Sequence, residues 1–182
     1  MKGTFKGEDD YQLNRFVCAH AIMMSLEGIP AFYIHSLFAT HNDHQKVELT
    51  SNKRSINRHN WDYDELNALL SSPDSIHHQA FTKLKDIIRI RKQQKAFHPN
   101  ATQFTLHFDE SLFAFWRQSQ DRTQSIFCIY NVTDETKTVA LKDVNLIELD
   151  DWCDLISGHK YEDPRENIIL APYEFVWISN KG

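Results

Sequence analysis

The segment NKRSINRHNW sets two arginines, Arg54 and Arg58, around Asn57. A guanidinium presents a planar fork of N–H donors suited to sugar hydroxyls, carboxylates or phosphate. The same polar stretch, which follows the apolar run Ala31 to Ile34, carries His41, Asn42, Asp43 and His44. His41 and His44 stand as H-x-x-H, and His35 and Asp43 could be added to draw a metal cluster. Zinc sites need three or four convergent ligands, and no C-x-x-C pair supports one here. Ten histidines generate such spacings by chance, so no metal and no cofactor are expected.

Other chemistries have bland explanations. The carboxylate groups Glu8-Asp9-Asp10, Asp109-Glu110 and Asp150-Asp151 all fall at expected helix starts or turns, where capping and solvation account for them. A G-x-S-x-G elbow is absent, and so is a glycine cluster that could cradle phosphate. Cys18 and Cys128 lie in apolar runs, as small buried hydrophobes do, and with Cys153 they make an odd number without paired spacing, which fits a reducing cytoplasm. Phe104, Phe115, Trp116, Tyr173, Phe175 and Trp177 could form a sugar-stacking platform, but they alternate as core residues do.

Composition bounds the class. In 182 residues, 41% are hydrophobic and 25% charged, with only 5 glycines and 5 prolines, so a folded protein with a real core is expected. The formal net charge of -5 argues against a nucleic-acid partner. No apolar run approaches the roughly 18 residues of a membrane span, and none resembles a signal sequence.

These side chains need elements to position them. From Asp9 or Asp10 to near Gly28, Leu13, Phe16, Val17, Ala21 and Met24 recur at helical spacing. Ala31 to Ile34 reads as a short strand buried on both faces, and the long polar loop follows it. Asp62 and Glu65 form an acidic capping box for a short helix bearing Leu66, Leu69 and Leu70. Ser72 and Pro73 are expected to open a long helix with the apolar stripe Ile76, Ala80, Leu84, Ile87 and Ile88, ending before Pro99. Lys83, Lys85, Arg89, Lys92 and Lys95 form its solvated face. Beyond Asn100 the period changes to 2, through Phe104 to Phe108, Leu112 to Trp116, Ile126 to Val132, Thr138 to Leu141 and Ile168 to Ile178. The fold class is therefore α+β, with a boundary near residue 100 and an antiparallel sandwich or sheet beyond it.

On these residues the chain resembles a known family. GIPAFYIHSLFATHND followed by NKRSINRHNW resembles the end of the catalytic barrel in the sucrose phosphorylase branch of the α-amylase superfamily. The likeness runs back through GEDDYQLNRFVCAHAIMMSLEG, which looks like the seventh barrel helix. It runs forward to NVTDETKTVAL, DLISGHKY and LAPYEFVWI, which look like that family's C-terminal β domain. The resemblance implies a C-terminal remnant of a (β/α)8 barrel over residues 1–100 and a small antiparallel β domain over 101–182. It implies that Arg58 helps to hold the glucosyl unit, with Arg54, Asn42 and Asp43 on the same rim. The stretch Phe32 to Leu37 leans toward the branch acting on glucosylglycerate, glucosylglycerol or phosphorylated sucrose.

The family's retaining mechanism uses an aspartate nucleophile, a glutamate acid/base and a second aspartate, with phosphate replacing water. By the resemblance all three belong before Met1, so the chain alone is expected to be inactive. The implied substrates of the parent enzyme are an α-glucoside and inorganic phosphate. A barrel strand without neighbours exposes backbone groups and apolar surface, so self-association or a complementing chain is expected. The alternative reading is a stand-alone carbohydrate-binding or protein-interaction module without catalysis.

Overall fold

The computed structural model describes residue 5, residues 7–144 and residues 152–180. Asp150 and Asp151 lie outside the described residues. The chain separates into two compact units, Met1–Pro30 with Ile87–Gly182, and Ala31–Asp86. Helices and antiparallel sheets together make an α+β chain.

The first unit opens with helix α1, Gln12–Ser25, which buries Val17, Cys18, Ala21, Met24 and Ser25. Asp9 precedes it, accepting the Tyr11 N–H and pairing with Arg15. The chain leaves the helix through Gly28, whose φ of 97° is open to glycine at little cost. Seven strands follow among the described residues: β1 Thr102–Leu106, β2 Leu112–Gln118, β3 Ser125–Asn131, β4 Lys137–Ala140, β5 Cys153–Asp154, β6 Asn167–Leu170 and β7 Phe175–Ser179. A five-stranded antiparallel sheet has the order β1-β2-β3-β7-β5, and β4 pairs with β6 in a second sheet. The single apolar run read from Ile168 to Ile178 is thus two strands in two sheets. Pro172, which has no N–H to give a ladder, and Tyr173, at φ 57°, lie in the turn between them.

Alternation along the strands gives the large sheet two buried faces. Ala114, Phe127, Ile129, Val176 and Ile178 pack with Val139, Ile168 and Leu170 of the second sheet and with Leu141 of the 3-10 turn that follows β4. On the other face Tyr130 and Trp177 meet α1 and the 3-10 turn Lys95–Phe97. The Tyr130 hydroxyl accepts the Trp177 Nε1–H at 2.7 Å and bonds the Ser25 hydroxyl, and Phe97 meets Trp177 edge-on at 4.7 Å. Trp177 and Phe115 are core residues, whereas Phe104 is 46% exposed and stacks on Trp116.

Arg117 is the fully buried charge on this face. Its Nη1 donates to the Ser25 carbonyl at 2.7 Å and its Nη2 to the His98 carbonyl at 2.9 Å, with a longer bond to Ala101 O at 3.4 Å. Arg91 adds a bond from its Nη2 to Phe97 O at 3.0 Å and one from its Nε to the Met24 carbonyl. Two cations thus satisfy the Met24 and Ser25 carbonyls, the last two of α1, which have no partners within the helix.

The second unit contains α2 Ile34–Leu37, α3 His44–Thr50, a 3-10 turn Lys53–Asn57, α4 Tyr63–Ser71 and the start of α5 Ile76–Lys92, a helix that runs on into the first unit. Asp62 caps α4 as expected, accepting the Asp64 and Glu65 N–H groups at 3.0 Å each. Along α5, Ala80, Leu84 and Ile87 are buried, while Lys83, Lys85, Arg89 and Lys92 are exposed. Two expectations need correction. The strand Ala31 to Ile34 is absent: residues 31–33 carry no regular structure, and Tyr33 O instead accepts from Ser36 and Leu37 as α2 begins. A strand exists only with a hydrogen-bonding neighbour, and none pairs with this stretch among the described residues. Ala31, Tyr33 and Ile34 are exposed rather than buried on both faces. The α5 cap is also displaced, since Ser72 O accepts from Ser75 N across a Pro73-Asp74 turn and the Ser75 hydroxyl accepts from His77 N at 3.2 Å.

Replacing Arg117 by Met keeps volume but removes the guanidinium donors from the Ser25 and Ala101 carbonyls and one of the two donors from His98 O, which keeps the Ala101 N–H. Arg117→Met is expected to lower unfolding stability by about 3 kcal/mol, read as a reduced urea midpoint. An unchanged midpoint would show that the guanidinium is dispensable.

Candidate functional site

The polar stretch of the second unit folds around one side chain. Asp43 caps α3, its Oδ1 accepting the Lys46 N–H at 2.8 Å, while its own N–H donates to Ile56 O at 2.7 Å. Its Oδ2 lies 3.1 Å from His59 Nδ1. The Lys46 N–H, then His59, hold the Asp43 carboxyl below its ordinary value. A carboxylate with fixed donors on both oxygens is thus tied to the protein on two sides.

A cavity of about 430 Å³ opens beside this knot, lined by Thr40, His41, Asn42, Asp43, His44, Gln45, His59, Trp61, Glu65 and His77. Thr40 organises one wall: its Oγ1 accepts the Trp61 Nε1–H at 3.0 Å and lies 3.3 Å from His35 Nδ1. Trp61 meets His59 and His77 edge-on at 4.7 and 5.3 Å. His77 Nδ1 donates to Phe38 O at 2.7 Å, which fixes its ring. Burial, then the neighbouring His59 and Lys46 charges, lowers the His35 pKa, so this ring is neutral at physiological pH. Two amides, several imidazoles and an indole edge suit a neutral polyhydroxylated ligand, with the aromatic walls offering apolar contact and the polar tips hydrogen bonds.

The four residues singled out from sequence separate here. Asn42 and Asp43 line the cavity. Arg54 and Arg58 are exposed and do not line it, Arg58 closing the 3-10 turn and Arg54 lying within it. Neither guanidinium has a hydrogen bond or ion pair among the described residues. His41 and His44 share the cavity wall, but among the described residues no group of three His, Cys, Asp or Glu is placed to hold a metal ion. His59, Trp61, Thr40 and His77 were missed. The pairing of Asp43 with His59 spans 16 residues and follows no local period; the one signal was the polar-aromatic run RHNW next to Arg58. Away from this site Cys18 and Cys128 are buried, and burial pushes the Cys18 thiol up to about 12, so neither is a poised nucleophile.

Known proteins resemble this chain in sequence and in fold. No protein-family model matches the chain. A glucosylglycerate phosphorylase from Allomeiothermus silvanus is 34% identical over 93% of the chain and 28% of its own length. Another from Spirochaeta thermophila is 29% identical over 98% of the chain and 35% of its own. The chain thus spans about a third of the length of these curated relatives. Among solved structures, an α-amylase from Geobacillus thermoleovorans, complexed with acarbose, superposes with a TM-score of 0.68 at 16% identity, over 92% of this chain and 33% of that one. At that identity the likeness is one of fold.

The Asp43 knot carries a pH signature. Its carboxyl is depressed below the ordinary 3.8, so the stability it contributes is fully present above that value and is lost as pH falls through the folded-state pKa. Melting temperatures of the native chain and Asp43→Asn should differ at neutral pH and converge as the pH falls below 3.8 and through the depressed folded-state pKa. A difference that persists undiminished in acid would exclude this carboxylate as its source.

Proposed function

Because the chain matches the C-terminal part of a sucrose phosphorylase-like enzyme of the α-amylase superfamily, we propose that it is the C-terminal segment of a retaining α-glucoside phosphorylase, of the sucrose, sucrose-phosphate, glucosylglycerate or glucosylglycerol type. The observation that carries this reading is the pattern of coverage: relatives of that activity align with 93% and 98% of this chain but with 28% and 35% of themselves. In this reading residues 1–100 are the end of the catalytic barrel and 101–182 its C-terminal β domain. The chain supplies loop residues to the substrate site, and the nucleophile, the acid/base and their partner aspartate come from outside it.

Arg58 holds the glucosyl unit, with Arg54, Asn42 and Asp43 on the same rim. The exposed, unpaired guanidiniums and the polar cavity beside Asn42 and Asp43 support the assignment. An arginine suits this work because its donors can hold sugar hydroxyls and also phosphate, the incoming acceptor that replaces water when the glucosyl-enzyme bond is broken. No described helix is long and apolar enough to cross a membrane. The workplace of such an enzyme is the cytoplasm. The Ala31–Tyr33 segment, with Ala31 and Tyr33 exposed and Tyr33 extended, is where a complementing chain or a second copy would pair its backbone.

The test uses the purified chain with 2-O-α-glucosylglycerate and inorganic phosphate, alone and after co-expression with the remaining N-terminal part of the Allomeiothermus relative. No α-glucose 1-phosphate is expected from the chain alone, and turnover is expected from the pair. Product from the chain alone at an enzymatic rate would overturn the proposal, and an inactive but stably associated pair would remove its substrate assignment.

A further inference from the structure

The segment from Ile56 to Asn60 is held at every residue. Ile56 O accepts from Asp43 N at 2.7 Å, Asn57 O from the Tyr33 hydroxyl at 2.8 Å, and Arg58 O from Lys46 Nζ. The His59 ring bonds Asp43, and Asn60 Oδ1 accepts from the same Lys46 Nζ at 3.2 Å. Arg58 N–H closes the preceding turn on Ser55 O at 3.1 Å. Five consecutive residues are thus tied down by Tyr33, Asp43 and Lys46, and among the described residues the Arg58 guanidinium, like the neighbouring Asn57 amide, makes no side-chain bond. A long flexible side chain loses less freedom on binding when the backbone beneath it is already fixed.

We infer that Lys46 and Asp43 are positioning residues for Arg58: they clamp the Ile56–Asn60 backbone to α3 so that the guanidinium is presented to a sugar or sugar-phosphate ligand in one direction. This rests on the reading of Arg58 as a glucosyl-site residue and changes the part assigned to Asp43. Its two oxygens are occupied by Lys46 N–H and His59, so it acts through the segment it holds rather than through the ligand. Lys46 works as a charged double donor, bridging a carbonyl and an amide oxygen twelve and fourteen residues away. Arginine at this position can make the same two bonds, whereas methionine of similar length can make neither.

The test has two arms on the full chain. In the first, backbone ¹⁵N relaxation is measured for the native chain, Lys46→Met, Lys46→Arg and Asp43→Asn. Lys46→Met and Asp43→Asn should loosen residues 56–60 while leaving β1–β7 unchanged, and Lys46→Arg should restore native order. Unchanged order in Lys46→Met would overturn the clamp. The second arm titrates α-glucose 1-phosphate. Lys46→Met should weaken binding about tenfold, the loss of one charge-assisted bond. The double variant Lys46→Met/Arg58→Ala should bind no worse than Arg58→Ala, since positioning has no effect once the positioned group is gone. Additive losses would overturn the inference, because Lys46 would then act on the ligand independently. If Arg58→Ala binds as the native chain does, the glucosyl-site reading fails, and the relaxation arm still decides whether the clamp exists.

Discussion

A buried guanidinium holds the larger unit together. Burying a cation is costly unless its donors are satisfied, and Arg117 has no carboxylate among its bonded partners. It meets backbone carbonyls instead: the last turn of α1 through Ser25, and the approach to β1 through His98 and Ala101. Burial depresses its pKa, but the partial negative charge at a helix C-terminus favours the cation that lies there. Because Arg117 sits on β2, one residue joins a helix end, a loop and the middle of a sheet. Arg91 repeats the device from α5, so the chain emerging from α1 toward Gly28 is set by two cations of opposite origin in sequence.

The hydroxyl network beside it follows from the same exclusion of water. Tyr130 and Ser25 carry polar atoms into an apolar face, and each finds a partner: Trp177 Nε1 donates to Tyr130, and the Ser25 hydroxyl reaches Ala21 O at 2.8 Å. Asn131 solves the same problem at the end of β3, its amide donating to Leu170 O and Ala171 O while its oxygen accepts from Thr133. These bonds select one register for helix against sheet, whereas apolar contacts alone would tolerate several.

In the smaller unit order comes from polar contacts to a greater degree than from a core. None of α2, α3 or α4 contains a buried residue, and the loop is shaped by Asp43, Lys46 and Tyr33 acting on backbone groups and by Thr40 accepting from the Trp61 indole. Such a framework fixes direction at low local stability, which suits a segment whose exposed side chains meet a ligand. It also explains why Asp43 and Arg58, alike as polar loop residues in the sequence, differ in the fold: one is consumed by the framework and the other is left outside it.

Much of the fold was legible because local rules governed it. The 3.6 period found α1 and α5, Asp62 announced the start of α4, and the change to period 2 beyond Asn100 found the strands. The motifs around NKRSINRHNW, with a likeness that runs over nearly the whole chain, carried the resemblance to the sucrose phosphorylase branch. What the sequence could not show depended on partners distant along the chain. Ala31 to Ile34 has a strand's composition but no strand beside it among the described residues, Pro172 sends one apolar run into two sheets, and the hydrogen bond of Asp43 with His59 has no periodicity to betray it. Composition and spacing alone determined the secondary structure that each segment favours, and the resemblance to a family rested on its motifs. Tertiary structure alone decided which polar groups are spent on one another, because a hydrogen bond depends on distance in space and the sequence records only distance along the chain.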